Sequence, residues 1–369
     1  MTTAVRWRAR VTRVWPVARY VIGLALAALA FDQLAGHKGE LTEAAAALGR
    51  LRWGWVLAGV IVEAGSYLSL VQIQRVLLRA GQVKIALGPM AAITLAATAI
   101  ASSLPAGTAF AAVFSFRQLH RRGADQAIAG WSLVATFFAG AVTLAVMAAG
   151  GAVVARAVGA GPDLVGPIMA ALAVALVMGA IFVQQRVLTW GVSAAVGLAR
   201  RLTSWPKDKL AARIGQFIVR LTVVHLPPGQ AAITLGWAVG YWTLDCSCLA
   251  VSFLAVGAGV PWKGLLLAYG AGQLASSLPI TPGGLGVVEG SLTIALVAFG
   301  GPAPSTVAAV LLYRLISFWL ALPLGWGAWA WLTWTGRRRP WPGPPAPAGH
   351  PGAPAAGDLP GDTSQAATR

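Results

Sequence analysis

Long apolar stretches alternate with short polar connections along this chain. Apolar runs occupy residues 16–35, 53–78, 87–104, 124–155, 163–185, 229–256, 262–278 and 302–334. A helix needs about 20 apolar residues to cross a bilayer, so most of these runs are long enough to span one. Two further apolar segments, 106–116 and 280–300, are interrupted or short. Each follows a copy of one tetrapeptide, Ser102-Ser103-Leu104-Pro105 and Ser276-Ser277-Leu278-Pro279. Proline cannot continue the incoming helix. Each copy therefore predicts a helix that stops inside the membrane and turns back. Paired, Pro/Gly-interrupted apolar segments at matching places in two halves point to the central site of a repeat-built transporter.

Charge sets the orientation. With the N-terminus inside and both Ser-Ser-Leu-Pro turns re-entrant, 22 of the 28 Lys and Arg fall on the cytoplasmic side, five outside, and Arg314 within the membrane. A complete crossing by 106–116 would move Arg117, Arg121 and Arg122 to the far side and spoil that asymmetry. The first hairpin then enters from the cytoplasm and the second from outside. The expected fold is an all-α polytopic membrane protein of two inverted repeats, residues 16–155 and 163–334. It has about six full spans plus two Pro/Gly-broken re-entrant hairpins. The transmembrane domain covers 1–335, and 336–369 is a Pro-rich cytoplasmic tail, disordered because it lacks apolar runs. Both termini face the cytoplasm of a cell-membrane protein. Residues 6–30 imitate a signal peptide but are read as a retained first span. The basic connection at 186–222 is read as partly amphipathic on the membrane surface.

Composition agrees: 57% hydrophobic, 11% charged, mean hydropathy +0.71. Soluble domains carry about 25% charged residues. The net charge of +17 lies in connections between spans, which makes anionic headgroups rather than nucleic acid its partners. Tryptophans such as Trp15, Trp53, Trp262, Trp331 and Trp334 sit near span ends, as an interfacial belt requires. Cys246 and Cys248 are two apart on one apolar run, a poor metal site, and the four histidines are scattered. No metal or cofactor is expected.

The second hairpin carries the strongest chemical signal. After Pro279, Thr281 can cap a new helix with Pro282 at its first position. Gly283, Gly284 and Gly286 would leave that first turn's amides bare, an anion site inside a bilayer. A tight turn and close helix packing would call for the same glycines. Ionisable residues at membrane depth are Glu63, Asp245, Glu289 and Arg314, each costly unless paired or hydrated. Arg314 cannot lose its proton, so it needs Glu289, or a phosphate, as partner. Glu63 and Asp245 are candidates for a proton relay or an ion-pair role. The candidate substrate site is Arg314, Glu289, Thr281, Gly283, Gly284, Gly286, Ser276 and Ser277, with Pro105, Pro279 and Pro282 shaping the hairpins.

The stretch Leu278–Ser291, with Trp242-Thr243-Leu244-Asp245 before it and Tyr313-Arg314-Leu315 after it, resembles the flippase-like family. That family is related to the transmembrane domain of bacterial lysylphosphatidylglycerol synthases. The resemblance reaches nearly to Trp334 and rests on the Pro-x-Thr-Pro-Gly-Gly-x-Gly-x-x-Glu pattern. It implies a membrane domain that moves or binds an anionic or modified lipid, such as aminoacylated phosphatidylglycerol. Its matching residues are Pro279, Thr281, Pro282, Gly283, Gly284, Gly286, Glu289 and Arg314. Two departures stand out. Synthase members carry a soluble aminoacyl-transfer domain after the spans, where this sequence has a short tail, so synthesis of lysylphosphatidylglycerol is not expected; with no D-x-D and no His/Glu cluster, the sequence is read as that of a non-enzyme. The first hairpin, Pro105-Ala106-Gly107-Thr108, lacks the second proline and the glycine pair, and Trp131-Ser132-Leu133 stands where a second Tyr-Arg-Leu is sought.

The leading expectation is a lipid transporter taking an anionic or polyprenyl-type headgroup between the hairpins. The alternatives are a proton-coupled secondary transporter of a small anionic solute and a non-transporting envelope assembly factor. A lipid-modifying enzyme is one candidate protein partner, its identity left open by the sequence.

Overall fold

The computed structural model describes residues 49–104, 107–157, 226–276 and 282–337. The runs 16–35 and 163–185, the 186–222 connection and the tail from 338 lie outside the described residues. So do Pro105, Ser277, Pro279 and Thr281.

Every regular element among the described residues is a helix. The order is α1 (Trp53–Ala80), α2 (Leu87–Ser103), α3 (Gly107–His120) and α4 (Gln126–Ala157), then α5 (Pro228–Ala255) and α6 (Trp262–Ser276). A 3-10 turn, Pro282–Gly284, leads into α7 (Val287–Ala298). Next come α8 (Ala303–Arg314), a π turn at Leu315–Trp319, and α9 (Ala321–Arg337). Among the described residues four stretches are long and apolar enough to cross a membrane: α1, α4, α5 and the continuous Ala303–Thr335. Proline opens two of them: Pro228 in α5, and Pro302 and Pro304 around the start of α8. There its missing N–H costs nothing.

The shorter helices come in pairs that fold back. Leu104 leaves α2 in an extended conformation, and Gly107 N–H returns to Leu104 O at 2.9 Å. Met90 and Ile93 near the start of α2 share a core with Leu119 near the end of α3, which makes the two antiparallel. The second pair closes likewise. Phe299, just past α7, lies against Gly264 at the start of α6, and Leu292 lies against Gly272.

The chain thus runs long helix, folded-back pair, long helix, twice over. The two copies interlock. α1 packs along α5, where Ser66 Oγ donates to Tyr241 O at 3.0 Å. Each pair packs against the closing long helix of the other copy: α2 on α9, and α6 on α4. Glycine makes both approaches possible. A β-carbon on Gly325 of α9 would strike Leu95 O of α2; one on Gly151 of α4 would lie 2.6 Å from Leu267 N of α6. Those two glycines are 174 residues apart (151 to 325), as are Ser102 and Ser276. Gly140 lies the same interval before Arg314.

Several hydroxyls inside the spans are satisfied within their own helix, which suits a bilayer. Thr94, Thr143, Thr234 and Ser252 each donate to the carbonyl four residues back. Trp53, Trp262 and Trp334 project outward near helix ends.

Candidate functional site

Arg314 ends α8, twelve residues into the last long helix. At 1.5 Å per residue that is about 18 Å along it, deep in an apolar slab about 30 Å thick. Its guanidinium is held on three sides. Nε donates to Glu289 Oε1 at 2.6 Å, and Nη2 donates to Gly283 O at 3.1 Å. The plane rests over the Phe318 ring, 4.4 Å from its centroid, a cation–π contact. Nη1 has no protein acceptor among the described residues.

The π turn explains how one helix supplies both the cation and its aromatic floor. The extra residue in that turn shifts the register directly after Arg314, and such bulges often mark functional places. It swings Phe318 under the guanidinium and leaves Ser317 O to accept from Tyr67 Oη at 3.1 Å.

The glycines of the second hairpin behave differently from the sequence expectation. The helix does not begin at Pro282. Pro282–Gly284 forms a separate 3-10 turn, and α7 begins at Val287 with Gly286 as its cap. Gly283, Gly284 and Gly286 have φ of 63°, 68° and 81°, the left-handed region where a side chain is disfavoured. Nor is the helix entrance wholly bare, because Glu289 Oε2 accepts from Gly286 N–H at 2.7 Å. That is half of a capping box, with the N3 glutamate reaching back. Glu289 therefore has two tasks, capping α7 with one oxygen and holding Arg314 with the other.

The tip of this hairpin meets the end of α2. A β-carbon on Gly283 would strike Phe318 and lie 3.1 Å from Ser102 O. The end of α2 and the Pro282–Gly284 turn thus come together beside Arg314. Ser276, the last residue of α6, turns its Oγ to Gln273 O at 2.6 Å and lies beside Gly284. Ser103 receives Trp326 Nε1 at 3.2 Å.

A second polar group centres on Asp245 of α5, 6% exposed. Its Oδ2 accepts from Tyr269 Oη at 2.5 Å and from Gln273 Nε2 at 3.2 Å, both on α6. Tyr313 Oη donates to Oδ1 at 3.0 Å, and Gln273 Nε2 also reaches Tyr313 Oη at 3.1 Å. The carboxyl of Glu63, on α1, lies against that of Asp245 and the thiol of Cys248, while Glu63 Oε2 is buried and meets no donor.

Of the residues picked from sequence, Arg314, Glu289, Gly283, Gly284, Gly286 and Ser276 gather at the hairpin tip, and Glu63 meets Asp245. Tyr269, Gln273, Tyr313 and Phe318 were not picked. Tyr269 and Gln273 stand four apart on α6, one face of a helix; that spacing was the available signal. Among the described residues no three His, Cys, Asp or Glu side chains converge on a metal-sized space.

Two curated relatives are both described as UPF0104 membrane protein, from Methanothermobacter thermautotrophicus (strain ATCC 29096 / DSM 1053 / JCM 10044 / NBRC 100330 / Delta H). One is 41% identical over 81 residues, 22% of this chain and 23% of the relative. The other is 31% identical over 84 residues, 23% of this chain and 25% of the relative. The chain matches only about a quarter of their length. The model of the lysylphosphatidylglycerol synthase TM region matches residues 17–325, which takes in α1 to α8 and the Arg314 site. The chain belongs to the family of the lysylphosphatidylglycerol synthase transmembrane region.

Proposed function

We propose that this protein is a flippase-like transporter for a lipid with an anionic or modified headgroup. The headgroup enters where the two hairpin tips meet, its phosphate facing Arg314, while the acyl chains stay in the bilayer. One observation carries the reading: the guanidinium is fixed by Glu289, Gly283 O and Phe318, yet Nη1 keeps its donors free of protein acceptors among the described residues. A positioned guanidinium with donors to spare suits a phosphate oxygen.

The inverted repeat belongs to this reading. The recurring element order, the 174-residue interval and the exchanged packing of α2 on α9 and α6 on α4 support it. With two hairpins entering from opposite faces, tips that touch mid-membrane offer a site reachable from either leaflet. Both termini are then cytoplasmic, the membrane is the cell membrane, and the protein carries no enzymatic step of its own. Reconstitution into liposomes with fluorescent phosphatidylglycerol, read by quencher access to each leaflet, tests the proposal. Exchange no faster than in protein-free vesicles, across anionic and aminoacylated headgroups, would end it.

A further inference from the structure

We propose that Glu63 and Asp245 form a proton-binding site, with one exchangeable proton carried on Glu63 and donated to the Asp245 carboxylate. The site is separate from Arg314 and does not depend on which headgroup or solute the hairpins handle.

The argument is one of donors and acceptors. Ionised carboxylates are acceptors only, so two in contact and shielded from water repel unless a proton lies between them. Asp245 already receives three donors, from Tyr269, Gln273 and Tyr313. That set suits the charged form. Glu63 is 6% exposed, and its Oε2 faces no donor at all. An unpartnered buried acceptor is costly; a proton on the Glu63 carboxyl removes that charge and becomes a donor to Asp245. The groups facing the pair include one further donor to Glu63, the Cys248 thiol, and one cation. They are Tyr67 on α1; Tyr241, Cys246 and Cys248 on α5; Tyr269 and Gln273 on α6; Tyr313 and Arg314 on α8. Arg314 is the one cation of that set, and its charge is engaged by Glu289.

The site is wired to the hairpin. Gln273 joins Asp245 to Tyr313 and sits one turn before the α6 tip, where Ser276 Oγ bonds its carbonyl. Deprotonation breaks the Glu63 O–H bond, passes the proton to water and leaves two facing carboxylates. Their repulsion acts between α1 and the α5–α6–α8 network that positions Arg314. The proton is thus bound at low pH and lost as pH rises, loosening α1 from that network.

Dicyclohexylcarbodiimide, which couples to protonated carboxyls in apolar surroundings, tests the proposal on the purified full chain in lipid nanodiscs. Peptide mass spectrometry should find the adduct on Glu63 at neutral pH, falling at least about tenfold at alkaline pH. Infrared spectra should show a protonated-carboxyl band that Glu63→Gln removes. Labelling at Asp245 instead, no adduct on Glu63 in folded protein, or a signal controlled by sodium rather than pH would each overturn it. The labelling is read on the unaltered chain, so it decides even where Glu63→Gln does not fold. Failure here would leave the headgroup reading of Arg314 standing, since no transport is measured.

Discussion

Gly283 faces Ser102 across the meeting point of the two hairpins: a β-carbon on Gly283 would lie 3.1 Å from the Ser102 carbonyl oxygen. The same β-carbon would strike Phe318, the aromatic floor of Arg314. Backbone conformation, hairpin contact and guanidinium geometry therefore converge on one residue without a side chain.

Gly283→Ala should cost about 1–3 kcal/mol from its φ of 63° alone, and more from the displaced ring. Gly290→Ala is the control, because it has open space around it and lies inside α7. Thermal unfolding in detergent should show a lower midpoint for Gly283→Ala and an unchanged or higher one for Gly290→Ala.

Gly151→Leu and Gly325→Leu should both separate a hairpin from the long helix it leans on, because each glycine touches the partner's backbone or its nearest atoms. Overpacking of this kind costs about 1–3 kcal/mol or more. Limited proteolysis should expose the α4–α6 contact in the first variant and the α2–α9 contact in the second. Similar losses from both would reflect their equivalent places in the two copies.

Arg314→Leu alone should be severe, about 3–5 kcal/mol, since it strands the Glu289 carboxylate at 19% exposure. Arg314→Leu with Glu289→Gln should recover most of that loss. The amide oxygen still accepts from Gly286 N–H, so the α7 cap survives. Glu289→Leu in the double variant would also lose that cap and another ~1 kcal/mol. Unfolding midpoints of the two double variants separate the cap from the ion pair.

Orientation follows from single cysteines placed over Cys246→Ala and Cys248→Ala. Arg121→Cys, exposed beyond α3, should react with an impermeant maleimide only from the cytoplasm, and Pro302→Cys only from outside. Gln118 is unsuitable, being 6% exposed and bonded by Arg122 at 2.6 Å. Reaction of both from one side would rule out hairpins entering from opposite faces.

Membrane class, the long helices and the folded-back pairs were legible because hydrophobic length and proline are local signals. The repeated Ser-Ser-Leu-Pro marked the two turns, and burial near the tip could be inferred for Arg314 and Glu289. The start of α7 was misplaced because Thr281-Pro282 reads as a cap, while three left-handed glycines hold the chain out of helix until Val287. The Asp245 network was invisible for another reason. Its partners lie 24, 28 and 68 residues away on other helices, and only packing brings them together. Phe318 reaches Arg314 through a π turn that no sequence pattern announced.

The most direct measurement is leaflet exchange of fluorescent phosphatidylglycerol in vesicles holding the wild-type chain, Arg314→Lys, or Arg314→Leu with Glu289→Gln. The account predicts fast exchange for the wild type. Arg314→Lys should be folded but about tenfold or more slower, because an ammonium lacks the planar fork that matches phosphate. The folded double variant should be no faster than empty vesicles. Full exchange in that double variant, at wild-type stability, would contradict the role given to Arg314.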